Sequence, residues 1–360
     1  MTRRGVNEDL LAKYPTLRGR PEEMAMMCKL LRDRAVLPDA LALGEAAVAA
    51  APESLAVSMA VRSALGDGVP GFHRPMMLDG RRNRAYARAI ERAVRPGMLV
   101  LEIGCGAGLL AMIAARAGAR VITCEGNPMV AAAAEEIVRR NGLSDRIRVI
   151  AKLSNKLTIP EDLPEPADLV IHEIFGAQLF DEGVTASLTD ARKRLLKPGA
   201  PSIPGQARVR CALLRDVRER ETRTLENVEG FDLSLFECLQ PRRQWLRKRD
   251  LSDQEVCSDF ASGLQMDYDR QPPFGPASET ISLISHGGRV DALAQWISID
   301  LGAGDVYENP PGEDGEKSHW GVLVHQFPTP IETRAGDRID VTMRHRGTLL
   351  TIDAALRAPG

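Results

Sequence analysis

No basic excess, no long hydrophobic run, no close cysteine pair and no His-x-x-x-His spacing occurs in this chain, and each absence removes a class of function. The formal net charge is −2, far from the basic balance of a protein whose main partner is nucleic acid. The basic clusters Arg242-Arg243 and Arg247-Lys248-Arg249 read as solvated faces. No run reaches the ~18 apolar residues that a spanning helix needs, and the two arginines near the N-terminus, Arg3 and Arg4, have no apolar segment behind them. A soluble, cytoplasmic protein with no membrane or nucleic-acid partner is therefore expected. Cys28, Cys105, Cys124, Cys211, Cys238 and Cys257 are scattered singly, so neither zinc nor redox chemistry is indicated and no metal site is expected.

What remains is 360 residues, 44% hydrophobic and 27% charged, enough for two domains or for one domain with appendages. Residues 21 to 66 are rich in Ala, Leu, Met and Glu at helical spacing, with breaks at Pro52 and at Gly66-Asp67-Gly68. The pair of segments around Pro52 resembles one tetratricopeptide-type hairpin, but such units stabilise one another in arrays of about three or more. A single copy reads as a helical cap. From about residue 96, short apolar runs (Met98–Ile103, Val121–Cys124, Ile147–Ile150, Leu169–Ile171) alternate with helical segments (Leu109–Ala117, Met129–Arg139), the signal of a doubly wound parallel sheet. After Pro198-Gly199 the period becomes two, as in Ala207–Cys211 and Arg338–Met343. The expected fold is α/β: a helical N-terminal cap over residues 1–70, a Rossmann-like domain over 71–200 and an antiparallel β-barrel-like domain over 201–360.

Leu99–Ile103 followed by Gly104-Cys105-Gly106-Ala107-Gly108 reads as a buried strand, a glycine turn and a helix start. Dinucleotide folds space their glycines as Gly-x-Gly-x-x-Gly. Here the spacing differs, an acidic residue, Glu102, sits on the strand before the turn, and another, Glu125, ends the next strand, where it can accept from two ribose hydroxyls. This combination resembles the class I S-adenosylmethionine methyltransferases, which would place Glu102 near the ligand's amino-acid end and Glu125 on its ribose. An ordinary nucleotide or NAD domain is the alternative. Arg82, in the charged stretch Met77–Tyr86, can bind the ligand's carboxylate bidentately.

Further on, Glu173 and Glu182 stand nine positions apart, and a His319-Trp320 pair comes late in the chain. Guanidinium is planar, permanently charged and rich in N–H donors, so two carboxylates suit it as a clamp. With Met77-Leu78-x-x-x-Arg82-Asn83, the glycine motif Leu101–Leu110, the Glu173–Glu182 segment, Ser318-His319-Trp320 and Gly288-Arg289-Val290 leading to Gln295-Trp296, the chain resembles the protein arginine methyltransferase family, nearest its monomethylating branch. The resemblance covers about residues 72 to 350. It implies that Glu173 and Glu182 hold the acceptor guanidinium, that His319 pairs with an acid and helps carry the released proton, and that Trp320 forms a wall of the substrate site. S-adenosylmethionine is the implied cofactor. The implied acceptor is a peptidyl arginine or free L-arginine.

Two positions depart from the family pattern. Ser318 stands where Thr or Asp is common, so the acid that orients His319 must come from elsewhere, with Asp79 a candidate. The loop Lys152-Leu153-Ser154-Asn155 lacks the acidic residue that many relatives offer the adenine amino group, leaving Ser154 or Asn155 for that contact. Relatives dimerise through an arm inserted in the β domain, and the segment from Arg215 to Lys248 is either such an arm or a surface excursion, so a homodimer stays open. Two competing functions remain: methylation of a lysine or N-terminal amine, as on a ribosomal protein, and a non-catalytic interaction protein on a methyltransferase scaffold.

Overall fold

The structure is a computed structural model that describes residues 10–216, 225–239, 243–246, 254–270, 272, 274–311 and 318–357. Arg3 and Arg4, Arg242, Arg247-Lys248-Arg249 and much of the Arg215 to Lys248 segment lie outside the described residues. The chain forms two compact units, each discontinuous in sequence: the residues up to Met77 with Ala93–His172, and Leu78–Arg92 with Glu173 onward.

The first unit begins with three helices, Pro21–Asp33, Leu37–Ala50 and Leu55–Gly66, packed around Met24, Cys28, Leu43, Ala47 and Val57. The break at Pro52 falls between the second and third helices, and Ser54 Oγ caps the third by accepting from Val57 N. A further break before Leu37 went unread in the sequence. Ala35 turns the chain at φ 58°, and Pro38 starts the next helix, where its missing N–H costs nothing. Gly44 lets two helices approach closely: a Cβ there would stand 2.6 Å from Leu65 Cδ1. Next to Gly44, Glu45 is bound at 2.5 Å by Arg140, which also binds Glu136 at 2.6 Å.

Four strands follow: β1 (Leu99–Ile103), β2 (Arg120–Cys124), β3 (Ile147–Ile150) and β4 (Leu169–His172). They are parallel in the order β3-β2-β1-β4. Helices Leu109–Arg116 and Pro128–Arg140 supply the first two crossovers. Strands β1 and β4 are buried from end to end, as expected of parallel strands covered on both faces. The order reverses at β1, flanked by β2 and β4, and in open α/β sheets such a switch point leaves a crevice at the strands' carboxyl ends. The glycine turn follows β1 at that end.

The second unit contains helix Gly80–Ala93, helix Val184–Arg194 and an antiparallel β region. The short strand β5 (Ser202–Ile203) stands outside that region, whose strands are β6 (Gln206–Asp216), β7 (Arg243–Leu246), β8 (Gln254–Val256), β9 (Ala261–Asp267), β10 (Ala277–Ile284), β11 (Gly288–Asp300), β12 (Val306–Glu308), β13 (Val322–Thr333), β14 (Arg338–His345) and β15 (Leu350–Leu356). One sheet runs β7-β13-β11-β6-β8, with β12 on β11 and β9 on β6, and a second runs β10-β14-β15. The period-two stretches Ala207–Cys211 and Arg338–Met343 fall on β6 and β14. Long, buried β11 forms the spine: Ala292, Ala294 and Trp296 pack with Ala212, Leu214, Val322 and Val324. Among the described residues, no helix is long and apolar enough to cross a membrane, and no group of three or more His, Cys, Asp or Glu is placed to hold a metal ion.

Candidate active site

In the first unit, the backbone leaves β1 through Gly104, Gly106 and Gly108 at φ 82°, 50° and 78°. These are left-handed conformations that a Cβ disfavours. Gly108 then caps the helix Leu109–Arg116. Glu102, on β1 and 1% exposed, accepts from Thr123 Oγ1 at 2.5 Å. Glu125, just past β2, accepts from Gly106 N at 3.2 Å and from Asn127 N at 2.9 Å, one bond at each oxygen. Each carboxylate oxygen has a second lone pair free for a hydroxyl. Asn127 Oδ1 caps the helix Pro128–Arg140, while its Nδ2 donates to Gly68 O at 2.8 Å. Ser154 is buried and opens a one-turn 3-10 helix after β3; Asn155 beside it is exposed.

One residue of this cradle escaped the sequence reading. His73 Nδ1 is buried with no hydrogen-bond partner among the described residues and lies 3.5 Å from where a Cβ on Gly106 would stand. Burial pushes its pKa down, against the raising influence of Glu125, so the ring is held toward its neutral form. Its signal was the charged stretch around Arg82, read only from Met77 onward. Three left-handed glycines, a carboxylate ready for a diol and an orphaned imidazole nitrogen fit a nucleoside that carries a polar amino-acid tail.

In the second unit, Glu173 follows directly on the last residue of β4 and is held by charge. Arg82 donates to its Oε2 from Nε at 2.7 Å and lies at 2.6 Å from Nη2, with both side chains about 5% exposed or less. The Arg82 guanidinium also donates to Asn83 Oδ1 and covers the Tyr86 ring at 4.7 Å. The arginine expected on the cofactor carboxylate is thus engaged by Glu173 here. Oε1 of Glu173 accepts no hydrogen bond among the described residues but faces His319 Nε2 as an ion pair at 3.3 Å. The other face of His319 supplies the acid that the sequence left open: Asp79 Oδ2 lies 3.0 Å from Nδ1 and accepts from the His319 backbone N at 2.9 Å.

One further residue, Tyr307, escaped the sequence reading because nothing in its local pattern marks it. Tyr307 OH donates to Asp79 and lies 2.7 Å from Ser318 Oγ, which accepts from Trp320 N. Trp320 packs against Phe175, Tyr307 and His319 at ring distances of 5.8, 5.2 and 4.9 Å.

The electrostatics of this cluster divide cleanly. Burial would raise the Asp79 pKa, but hydrogen bonds from His319, Tyr307 and two backbone amides bring it down to about 2. Burial likewise opposes ionisation of Glu173, and Arg82 and His319 outweigh it, so its pKa is lowered. For His319, burial favours the neutral ring, but Asp79 and Glu173 raise its pKa. Two buried carboxylates thus face the Arg82 guanidinium and an imidazole that they draw toward its charged form. Glu182 stands outside this balance. It sits at φ 56°, and burial, Asp181 and Glu173, opposed by His319, push its pKa up to about 7. Among the described residues it has no ion-pair partner, so it is the carboxyl that an incoming cation would ionise and neutralise.

Residues 86–204 match the family model for ribosomal protein L11 methyltransferase (PrmA). The chain is 35% identical over 291 residues to the arginine N(omega)-methyltransferase of Streptomyces achromogenes subsp. streptozoticus, an alignment covering 80% of each chain. It is 29% identical over 254 residues to protein arginine N-methyltransferase 7 of Oryza sativa subsp. indica, covering 64% of this chain but only 35% of that relative's length. Among solved structures, the Trypanosoma brucei PRMT1 enzyme-prozyme heterotetrameric complex with AdoHcy is similar at TM-score 0.69 and 26% identity, covering 81% of this chain and 94% of that one. With a relative this similar over four fifths of both chains, the chain belongs to the arginine N-methyltransferase family of class I S-adenosylmethionine-dependent methyltransferases.

Proposed function

We propose that the protein transfers a methyl group from S-adenosylmethionine to a guanidino nitrogen of arginine by direct in-line displacement. The observation that carries this reading is the contrast between Glu173, already balanced by Arg82 and His319, and Glu182, an exposed residue whose carboxyl has no ionic partner among the described residues. A cation brought to Glu182 supplies the missing charge. A planar guanidinium can bond both carboxylates at once, Glu173 through Oε1, which faces His319 Nε2 at 3.3 Å.

The donor supplies an electrophilic methyl on a positively charged sulfur. Glu125 would accept from the ribose hydroxyls, His73 and the glycine amides would bind the amino-acid tail, and Ser154 the adenine. Arginine is a weak nucleophile because its nitrogen lone pairs are delocalised. Glu173 and Glu182 concentrate positive charge on the nitrogens they bind and leave the third better able to attack, so orientation contributes most of the rate. When the N–C bond forms, a proton leaves the guanidino group. His319, held by Asp79, keeps Glu173 in place, and Glu182, ionised and bonded to the guanidino group, is the natural first acceptor of that proton.

The acceptor is a guanidino group, either of free L-arginine or of a peptidyl arginine; the Streptomyces relative's name gives arginine and the rice relative's name protein arginine. The match to the ribosomal protein L11 methyltransferase model favours a second reading, transfer to an amine. That match ends at residue 204, and an amine acceptor leaves the second carboxylate without a task. Incubation with S-adenosylmethionine and free L-arginine, an arginine-rich peptide or a lysine peptide, followed by mass spectrometry of the products, decides. Methyl transfer to lysine alone would overturn the arginine reading. Absence of S-adenosylhomocysteine binding by calorimetry would overturn catalysis altogether.

A further inference from the structure

The acceptor carboxylates stand on a loop rather than on a regular element. Between Glu173 and Glu182 there is neither helix nor strand, and two side-chain-bearing residues, Leu179 and Glu182, hold left-handed backbone at φ 69° and 56°. A loop of this kind keeps one shape only where its surroundings over-determine it. Part of the restraint is internal: Asp181 Oδ1 accepts from Gly176 N at 2.6 Å. Part comes from β14, where the His345 ring stacks on Phe180 at 4.0 Å with only 5° between planes.

The rest comes from a polar side chain in an apolar strand. Gln295 is 1% exposed on β11, between Ala294 and Trp296, both fully buried. Its Nε2 donates to the Ala177 carbonyl at 2.9 Å, and its Oε1 lies 2.8 Å from His325 Nε2 on β13. A buried amide in such a strand is costly unless both its ends are bonded. A methionine or leucine would fill the space at less cost if space were all that mattered.

We infer that Gln295 and His325 form a positioning pair that fixes where Glu173 and Glu182 present their carboxylates; the inference rests on the reading of those two residues as the acceptor clamp. An amide can turn either its oxygen or its nitrogen toward Ala177, and only the nitrogen can bond a carbonyl. His325 decides which. Its Nε2–H donates to Oε1, leaving the amide N–H₂ for Ala177. The neutral ring does this in one tautomer and the imidazolium does it too, so the device does not depend on the charge of His325. Ala177 lies four residues after Glu173 and five before Glu182, so a hold on its carbonyl sets both ends of the clamp. Clamp geometry matters steeply because small misplacements of reacting groups cost large factors in rate.

Replacing Gln295 by Met keeps the volume and removes both hydrogen bonds. We expect Gln295→Met to lower kcat/KM for the acceptor at least about tenfold, to leave the dissociation constant of S-adenosylhomocysteine within about twofold, and to raise amide exchange in residues 174–182 but not in the glycine turn. His325→Leu should move both readouts in the same direction by about threefold. Gln295→Glu keeps the His325 contact but turns an oxygen toward Ala177 when ionised; only its protonated form can donate, so its acceptor kinetics should recover toward wild type as pH falls. Packing alone predicts no such pH dependence. Wild-type acceptor kinetics and wild-type loop exchange in Gln295→Met would overturn the inference, as would exchange that rises uniformly across the second unit. Should the wild-type protein fail to methylate arginine, the functional reading falls, and the loop exchange of the variants still decides whether the pair positions the loop.

Discussion

The glycine turn and the acceptor cluster are built from different raw material. Around the turn, contacts join residues close in sequence: Gly106 to Glu125 spans 19 positions and Glu102 to Thr123 spans 21. Around Glu173 they reach across the chain: 91 positions from Arg82 to Glu173, 228 from Asp79 to Tyr307 and 240 from Asp79 to His319. The first region works through backbone, with glycines at left-handed angles and amide groups that need no side chain. The second works through charge, four buried ionic groups in balance and a fifth held in reserve. The first should therefore fail through weakened ligand binding, the second through lost chemistry.

The largest expected effect lies in the second region. Glu173→Gln removes one of two anions and leaves Arg82 and His319 facing a neutral amide. Turnover should fall by about 10²–10³-fold, with S-adenosylhomocysteine affinity changed by less than about threefold, as read by single-turnover kinetics beside calorimetry. Breaking a buried pair also destabilises the fold by roughly 3–5 kcal/mol, so the variant's melting temperature belongs in the same experiment. Loss of cofactor affinity in a folded variant would erase the distinction between the two regions. The converse variant, Glu125→Ala, should raise the cofactor dissociation constant by about tenfold through two lost charge-assisted hydrogen bonds and change kcat at saturating cofactor far less. An unchanged dissociation constant would count against the ribose role.

The same contrast explains what was legible in the sequence. The strand, glycine spacing and following acid of the donor region lie within residues 99–125, and periodicity of apolar residues reads such local units well. The parallel sheet and the alternation on β6 and β14 were legible for the same reason. The acceptor region was legible only where the chain resembles a family. That resemblance carried Glu173, Glu182 and His319, and the substitution at Ser318 pointed to Asp79, which the structure sets 3.0 Å from His319 Nδ1. Tyr307 carried no local mark, and Gln295 was read only as part of a strand, because the contact that matters most for each reaches a partner more than one hundred positions away. The break at Ala35 was missed for another reason: a left-handed alanine gives no signal in composition.

A smaller effect separates Glu182 from its neighbours by pH. Its pKa in the folded chain, about 7, lies above the ordinary 4.5, so the folded state holds a proton that the unfolded chain has lost. This favours the fold below the ordinary value, and the advantage is lost as pH rises through about 7. Thermal stability measured from pH 4.5 to 7.5 should fall more in wild type than in Glu182→Gln. Acceptor kcat/KM runs the other way. It should rise with pH up to about 7 in wild type, on the order of tenfold per unit at the acid end, and lose most of that slope in Glu182→Gln. A slope retained in the variant would assign the titration to another group and leave Glu182 without its special place.

The smallest effect tests whether the helical cap takes part in the donor region. Glu45 on helix Leu37–Ala50 binds Arg140 at the last turn of helix Pro128–Arg140, and both side chains are more than a third exposed. The opposite end of that helix begins beside Glu125, capped by Asn127, whose Nδ2 also holds Gly68 O in the linker after the third helix. Two ties thus join the cap to the sheet, one distant from Glu125 and one next to it. Glu45→Ala cuts only the distant tie, and Arg140 keeps Glu136 at 2.6 Å, so the loss should stay below about 1 kcal/mol. Cofactor affinity should be unchanged within about twofold. Asn127→Ala, which cuts the near tie and the helix cap together, should lower stability by about 1 kcal/mol and weaken S-adenosylhomocysteine binding as Glu125 loses its ordered neighbour. If Glu45→Ala weakens cofactor binding as much as Asn127→Ala does, the cap acts on the donor region along the whole helix, and the three N-terminal helices count as part of the cofactor site.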